Sequence, residues 1–512
     1  MTMFSMAMFS FYDGLALMAG LALPFAFAPF GAAWLAFLSP ALLLYCWLSA
    51  TPKMAFRRGF IFGLGFFAVG ISWVFISIHV FGEAPVPLAG LITAVFIGYL
   101  SLFPAIQGYS LAKFLPNNSY FKMLLAFPMS WVLFEMLRGW LFTGFPWLIL
   151  GYSQTHTWLK GYAPLFGVYG ISFLLVFMST LLLTICKAKR TRSKILLLST
   201  FVALYCVGGG LSAQNWTEPV GPTQTATLIQ GNIKQSLKWQ PEQILKTLQV
   251  YTTHTAENWS SDLIIWPEAA ITLPLNRARD FVQGLAEQAK QHHTTLITGI
   301  PLQEQTTFYN GMIAIGDGNG IYRKRHLVPF GEYIPLKFLW GFIMQAFDIP
   351  MSNCQAGGKE QTPLVAKGIK IAPYICYEVA YPLEFLAFLP DSQLLLILTD
   401  DSWFGHSIAA RQHLQMAQMR AIETGRYLLF SGNTGITAVI NQRGEIIKSI
   451  PDFQELELTA TIQPMQGTTP WMILKTYPLF ALMLITLIFG FRKNSMKAAN
   501  SLPHFKGFSF KL

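Results

Sequence analysis

The stretch IKIAPYICYE (369–378) decides how this chain reads. Its first seven residues suit a short buried strand, and the run then delivers a thiol, Cys376, followed by Tyr377 and Glu378. Two further runs have the same form: SDLIIWPE (261–268) ends on Glu268, and LLLILTD (394–400) ends on Asp400. TATLIQG (225–231) and TTLITGI (294–300) also read as strands, QRGEI (442–446) as a hairpin turn, and RQHLQMAQMRAIE (411–423) as a helix. Strands alternating with helices predict an α/β domain from residue 213 onward. In open α/β sheets ligands gather at the carboxyl ends of strands. A carboxylate, a thiol and a second carboxylate on one rim are therefore a candidate site. Taken singly, each has a plainer reading, as a solvated acid or a small buried thiol.

Lys324 strengthens the case. It lies in IYRKRHLVPFGEYIP (321–335), where four basic residues precede a proline-glycine turn and Glu332. A cysteine nucleophile needs a base to take its proton and a cation or N–H donors to hold the oxyanion. Glu268, Lys324 and Cys376, from three separated segments, supply those parts. The nearby Lys324 and Arg323 are expected to favour thiolate at Cys376. The other outward thiol, Cys354, is expected to be buried and unpaired, and His292, His293 and His406 to be surface or structural residues.

The rest of the chain has another texture. Of its 512 residues 53% are hydrophobic and only 12% charged, against about 25% charged in an average soluble domain. This is a membrane-class composition. The net charge of +11 does not indicate a nucleic-acid partner, because the basic residues lie mainly in short loops between apolar runs. A span needs about 20 apolar residues. Candidates are 11–28, 32–50, 58–78, 88–112, 122–142, 165–186, 194–212 and 472–491, about eight in all, the first two short enough for a re-entrant pair. Lys53, Arg57 and Arg58, then Lys113 and Lys122, then KAKRTRSK (187–194), then Arg492, Lys493 and Lys497 mark one side, while HVFGEAPVP (79–87) has no Lys or Arg. The positive-inside rule thus predicts both termini inside and 213–470 outside. With no basic n-region or cleavage site, the first span is expected to be retained. The predicted layout is a transmembrane domain at 1–212, a catalytic domain at 213–470, a helix at 471–492 and a tail at 493–512. Glu135 and Arg138 share one helical face within a span, as an ion pair or as membrane-side functional groups. LRGWLFTGFPW (137–147) suits a broken or re-entrant loop, and 336–352, rich in Trp, Phe and Met, either dips into lipid or packs on the domain. Five cysteines without metal-type spacing give neither a disulfide framework nor a metal site.

The ordered set LIIWPE, YRKRHLVPFGEYIP, YICYE, DDSWFG and RQHLQMAQMRAIETGRYLL resembles the nitrilase (carbon-nitrogen hydrolase) superfamily, and within it the bacterial apolipoprotein N-acyltransferases. QGNIKQSLKW (230–239), FYNG (308–311), RGWLFTGFPW and the arrangement of spans extend the resemblance over nearly the whole chain. It implies an αββα sandwich, about eight spans and a Glu-Lys-Cys triad. It also implies a multi-pass protein of the bacterial inner membrane with its catalytic domain in the periplasm, needing no cofactor. The implied donor is membrane phospholipid. The implied acceptor is the α-amino group of the N-terminal diacylglyceryl-cysteine of a lipoprotein, reached through a thioester, with a monomer as the working unit. Glu268 would be general base, Cys376 nucleophile, and Lys324 with the Tyr377 N–H the oxyanion partners. Glu332 would orient the lysine or the incoming amine, while Trp239, Asn310, Tyr377 and Glu378 match further functional positions. The chain departs from the family's N-D-A-W-F-G at Asp400, from a Gly-Pro pair at Ala409–Ala410, and from G-R-P-L-L and its following arginine at Tyr427 and Phe430. Two other classes fit parts of the pattern: a soluble-type amidase tethered to the membrane, and a transporter with an accessory domain. The first needs few spans, and the second would ordinarily carry an internal repeat, which the spans lack.

Overall fold

The computed structural model describes residues 10–115, 120–334, 353–486 and 488. The stretch 336–352, expected either to dip into lipid or to pack on the domain, and the basic tail from 492 lie outside the described residues.

From residue 224 the short apolar runs pair into two large sheets. The six-stranded sheet has the order Leu456–Ile462, Gln224–Gln230, Leu263–Ile265, Thr295–Glu304, Thr307–Gly316, Ile321–Arg323. Its three central strands run parallel and the flanking pairs antiparallel. The seven-stranded sheet has the order Ile446–Ile450, Thr437–Ile440, Tyr427–Gly432, Leu394–Thr399, Ile369–Ile375, Leu364–Ala366, Gly318–Asn319. There Leu394–Thr399 lies parallel to both neighbours. Successive strand side chains point to opposite faces, and the six-stranded sheet obeys this. Leu228, Leu263, Ile265 and Ile297 share a core with the other sheet, while Ile229, Ile264 and Leu296 form a second core with Tyr251 and Leu285. Those last two belong to the helices Ile244–Glu257 and Arg279–Gln291. This is the layered nitrilase-like fold.

Helix Ala409–Thr424 covers the seven-stranded sheet, and every residue of it except Arg411 is buried. Its polar side is buried because it docks on the N-terminal helices. Gln412 accepts the Trp147 indole N–H at 2.6 Å and donates to the Gly70 carbonyl at 3.2 Å. Gln415 accepts the Ala28 N–H at 3.1 Å, and Glu423 accepts the Val168 N–H at 2.6 Å. Buried polar groups need partners, and here each bond also joins the sheet domain to the apolar half.

Among the described residues three helices are long and apolar enough to cross a membrane: Val86–Phe114, Trp158–Lys187 and Thr191–Ala213. A fourth span arises if Pro52–Gly70 and Trp73–Phe81, bent by 56°, are counted together. Phe11–Ala26, Leu35–Trp47 and Tyr477–Thr486 are shorter apolar helices. Arg57 and Arg58, read from sequence as loop charges, pair with the buried Asp13 at 2.6 and 3.5 Å. Glu135 and Arg138 form no ion pair with each other among the described residues. Glu135 accepts the Leu150 N–H at 2.8 Å and the Trp131 indole N–H at 3.0 Å. Arg138 donates to the carbonyls of Phe145, at 2.8 Å, and Trp147. Both charges therefore brace the irregular backbone that follows their helix, including the left-handed Phe142, Thr143 and Gly144.

Candidate active site

Glu268, Lys324 and Cys376 are brought to one buried site by the ends of three strands. Strand Leu263–Ile265 stops before Trp266 and Pro267, which carry Glu268 past the sheet edge. One Glu268 oxygen accepts the Asn310 amide at 2.7 Å, and the other accepts the Asp400 N–H at 2.9 Å. Lys324 follows Ile321–Arg323 and is 1% exposed. Its ammonium lies 2.9 Å from Glu332 and 3.5 Å from Glu268. Asn310 also donates to Glu332 at 2.7 Å, so one amide spaces two carboxylates around one lysine.

Cys376 takes the first position after its strand with φ +51°, a left-handed conformation that costs energy for a residue with a Cβ. Glu378 holds that corner. Its carboxylate accepts the Ile375 N–H at 2.6 Å, the Tyr322 hydroxyl at 2.7 Å and the Arg325 N–H at 2.8 Å. It thereby ties the cysteine turn to the residues beside Lys324.

The electrostatics correct one expectation. Burial, then Glu268 and Asp401, push the Cys376 thiol well above its ordinary range, and Lys324 opposes them without prevailing. Arg323 gives no help, since it pairs with Glu304. Cys376 therefore rests as a thiol. Burial, then Glu332 and Asp400, likewise raise Glu268 against the pull of Lys324. Burial lowers Lys324, but Glu332, Glu268 and Cys376 more than reverse this, so it remains a cation. A raised carboxylate, a firm cation and a protonated thiol are the parts of base-assisted nucleophilic attack. Cys354 is buried and unpaired, its thiol pushed up to about 12 chiefly by burial.

Lys238 escaped the sequence reading although its neighbour Trp239 was singled out. Lys238 is buried, donates to the Glu268 carbonyl at 2.9 Å and pairs with Asp400. Trp239 is half-buried at the end of the short helix Gln235–Lys238. On another side the site meets the N-terminal half. The Tyr377 and Tyr381 hydroxyls donate to the Gly144 carbonyl at 3.2 and 3.0 Å, and Arg138 braces the same loop.

Residues 19–181 match the apolipoprotein N-acyltransferase N-terminal domain, and residues 225–470 match the carbon-nitrogen hydrolase domain. The apolipoprotein N-acyltransferase of Coxiella burnetii is 48% identical over 93% of this chain and 99% of its own length. The chain belongs to the apolipoprotein N-acyltransferase family. The family's Methylococcus capsulatus member is 43% identical over 91% of this chain and 93% of its own length. A solved carbon-nitrogen hydrolase superfamily protein from Xanthomonas campestris aligns with 57% of this chain and 100% of its own, at 21% identity and a TM-score of 0.36. As a member of the apolipoprotein N-acyltransferase family carrying these apolar helices, the chain is an acyltransferase and a membrane protein.

Proposed function

We propose that this enzyme moves a fatty acyl chain from a membrane phospholipid to the α-amino group of the N-terminal S-diacylglyceryl-cysteine of a lipoprotein, through a thioester on Cys376. The observation that carries the reading is the junction itself: the strand-end set Glu268, Lys324 and Cys376 opens beside the loop that Tyr377 and Tyr381 tie to the apolar helices. A hydrolase acting on small soluble amides has no use for that tie.

Glu268 takes the Cys376 proton as sulfur attacks the ester carbonyl. Lys324 and the Tyr377 N–H hold the oxyanion. The C–O bond breaks, Glu268 returns the proton to the leaving alkoxide, and lysophospholipid departs. The acceptor amine then attacks the thioester, Glu268 takes its proton, the C–S bond breaks and the thiol is restored. Glu332 steadies Lys324 and is placed to orient the amine. Asn310 and Glu378 hold the catalytic groups, and Trp239 follows Lys238, which holds the Glu268 carbonyl. No cofactor or metal enters these steps.

In this reading 1–212 and 471–492 form the membrane part, with about eight spans, and 493–512 is a cytoplasmic tail. The 213–470 domain faces the periplasm, both termini lie in the cytoplasm, and a monomer suffices. Loop charges support this orientation.

The test is intact mass of the purified chain incubated with phospholipid. An acyl adduct on Cys376, removed by a diacylglyceryl-cysteine peptide, is expected. No adduct on the wild type, or adduct removal without peptide acylation, would refute the thioester route.

A further inference from the structure

Cys376 has a second set of charged neighbours that the mechanism above does not use. His413, fully buried on helix Ala409–Thr424, has its Nδ1 2.9 Å from an Asp401 carboxylate oxygen and its Nε2 3.1 Å from the Cys376 carbonyl oxygen. Both partners accept hydrogen bonds. A neutral imidazole has one N–H and would turn a lone pair toward one of them. The same Asp401 oxygen accepts the Thr399 hydroxyl at 2.7 Å, so that carboxylate already serves as an acceptor. Of an imidazole and a carboxylate, the imidazole is the stronger base. The rest of the surroundings are aromatic. Trp147 lies nearly parallel to the ring at 5.8 Å, with Phe404 and Phe430 edge-on at 6.2 and 5.3 Å. Aromatic faces attract cations, and Trp147 presents one to the imidazole.

The geometry points to His413 as a buried imidazolium, countered by Asp401, that positions the nucleophile by holding the Cys376 carbonyl; this rests on reading Cys376 as the nucleophile. The cysteine's left-handed backbone needs restraint on both sides. Glu378 holds the N–H before it, and His413 holds the carbonyl after it. The pair also acts electrostatically, because the Cys376 sulfur, an Asp401 oxygen and a His413 nitrogen lie within 4.8 Å of one another. His413 offsets the Asp401 charge that would otherwise oppose thiolate formation. Glu268 and Lys324 also act on the sulfur, and Trp147, Phe404 and Phe430, which pack on the ring, are uncharged. Because Trp147 belongs to the loop that Arg138 braces, the arrangement also joins the nucleophile to the apolar half.

The experiment follows alkylation of Cys376 by iodoacetamide against pH, by peptide mass, in the full chain held in phospholipid nanodiscs. His413→Gln leaves Asp401 uncompensated. Its alkylation at pH 7 should slow at least tenfold and its profile move to higher pH. His413→Gln with Asp401→Asn removes both charges and should move the profile back toward the wild type, which a merely structural histidine would not do. A profile unchanged in the single variant, or a double variant no better than the single, overturns the inference. Should the variants not fold, nitrogen NMR of the wild type labelled with 15N-histidine decides. One of the nine histidines should show both ring nitrogens protonated in the buffer of the alkylation assay, and none doing so overturns it. Failure of wild-type Cys376 to form an acyl adduct would instead sink the nucleophile reading on which the inference stands.

Discussion

The Lys238 ammonium is bonded to the Asp400 carboxylate inside the protein, directly behind the proposed base. Lys238 also holds the Glu268 carbonyl, and the Asp400 N–H holds the Glu268 carboxylate. Removing one member of a buried pair strands the other charge, which costs about 3–5 kcal/mol. Lys238→Met should therefore lower the thermal unfolding midpoint clearly. Adding Asp400→Asn should restore most of the loss, since the stranded charge is then gone. A strictly additive double variant would show that the two residues are not coupled.

Glu268 works as a base only when charged. Burial, then Glu332 and Asp400, hold it above the ordinary carboxylate range. Activity should accordingly fall, as pH drops, through a limb lying above that range. Asp400→Asn removes a charge that raises Glu268, so the limb should move to lower pH. Glu268→Gln keeps the size but not the base, and should slow acyl-adduct formation about 10²–10⁴-fold. Rate measurements across pH check both. An acid limb unmoved by Asp400→Asn would mean another group sets it.

How much of this was legible beforehand differs between the two halves. Runs such as LIIWPE and LLLILTD announce buried parallel strands, because such strands are apolar on both faces, and their ends announce Glu268 and Asp400. The tuning of the site could not be read in that way. Arg323 adjoins Lys324 in sequence and so reads as a second cation for the thiol, yet strand alternation turns it toward Glu304. Lys238 and His413 look like surface or helix residues, and only the third dimension brings them, across 162 and 37 positions, to Asp400 and Cys376. The spans divide similarly. Val86–Phe114 is plain from composition, but Pro52–Gly70 and Trp73–Phe81 read as one run and are bent by 56°. Glu135 and Arg138 were legible as a pair of unusual charges; that each serves loop backbone rather than the other depends on where residues 145–150 return.

Arg138 satisfies the carbonyls of Phe145 and Trp147 where regular helix has ended. Arg138→Met should leave these acceptors buried without donors, at about 1–3 kcal/mol each. Lysine has the charge but not the planar fork, so Arg138→Lys should recover only part of the stability. Thermal unfolding in detergent, together with protease cleavage within 140–150, reports this. Equal stability of the methionine variant and the wild type would remove the arginine from its bracing role.

The tie between the two halves predicts a separable defect. Tyr377 and Tyr381 donate to Gly144, and Tyr381 also reaches the Thr143 carbonyl at 3.2 Å. Neither hydroxyl is among the groups proposed to move protons. Replacing both with phenylalanine keeps the rings and loses about 0.5–1.5 kcal/mol per bond, too little to unfold the domain. Without the tie the loop is free to drift from the nucleophile, and a displacement of about 1 Å can cost 10²-fold in rate. The Tyr377→Phe, Tyr381→Phe double variant should therefore keep wild-type alkylation of Cys376 by a small reagent while forming its acyl adduct from phospholipid far more slowly. If both reactions slow together, the hydroxyls act on the cysteine itself. If neither slows, the contact with Gly144 does not serve delivery of the lipid.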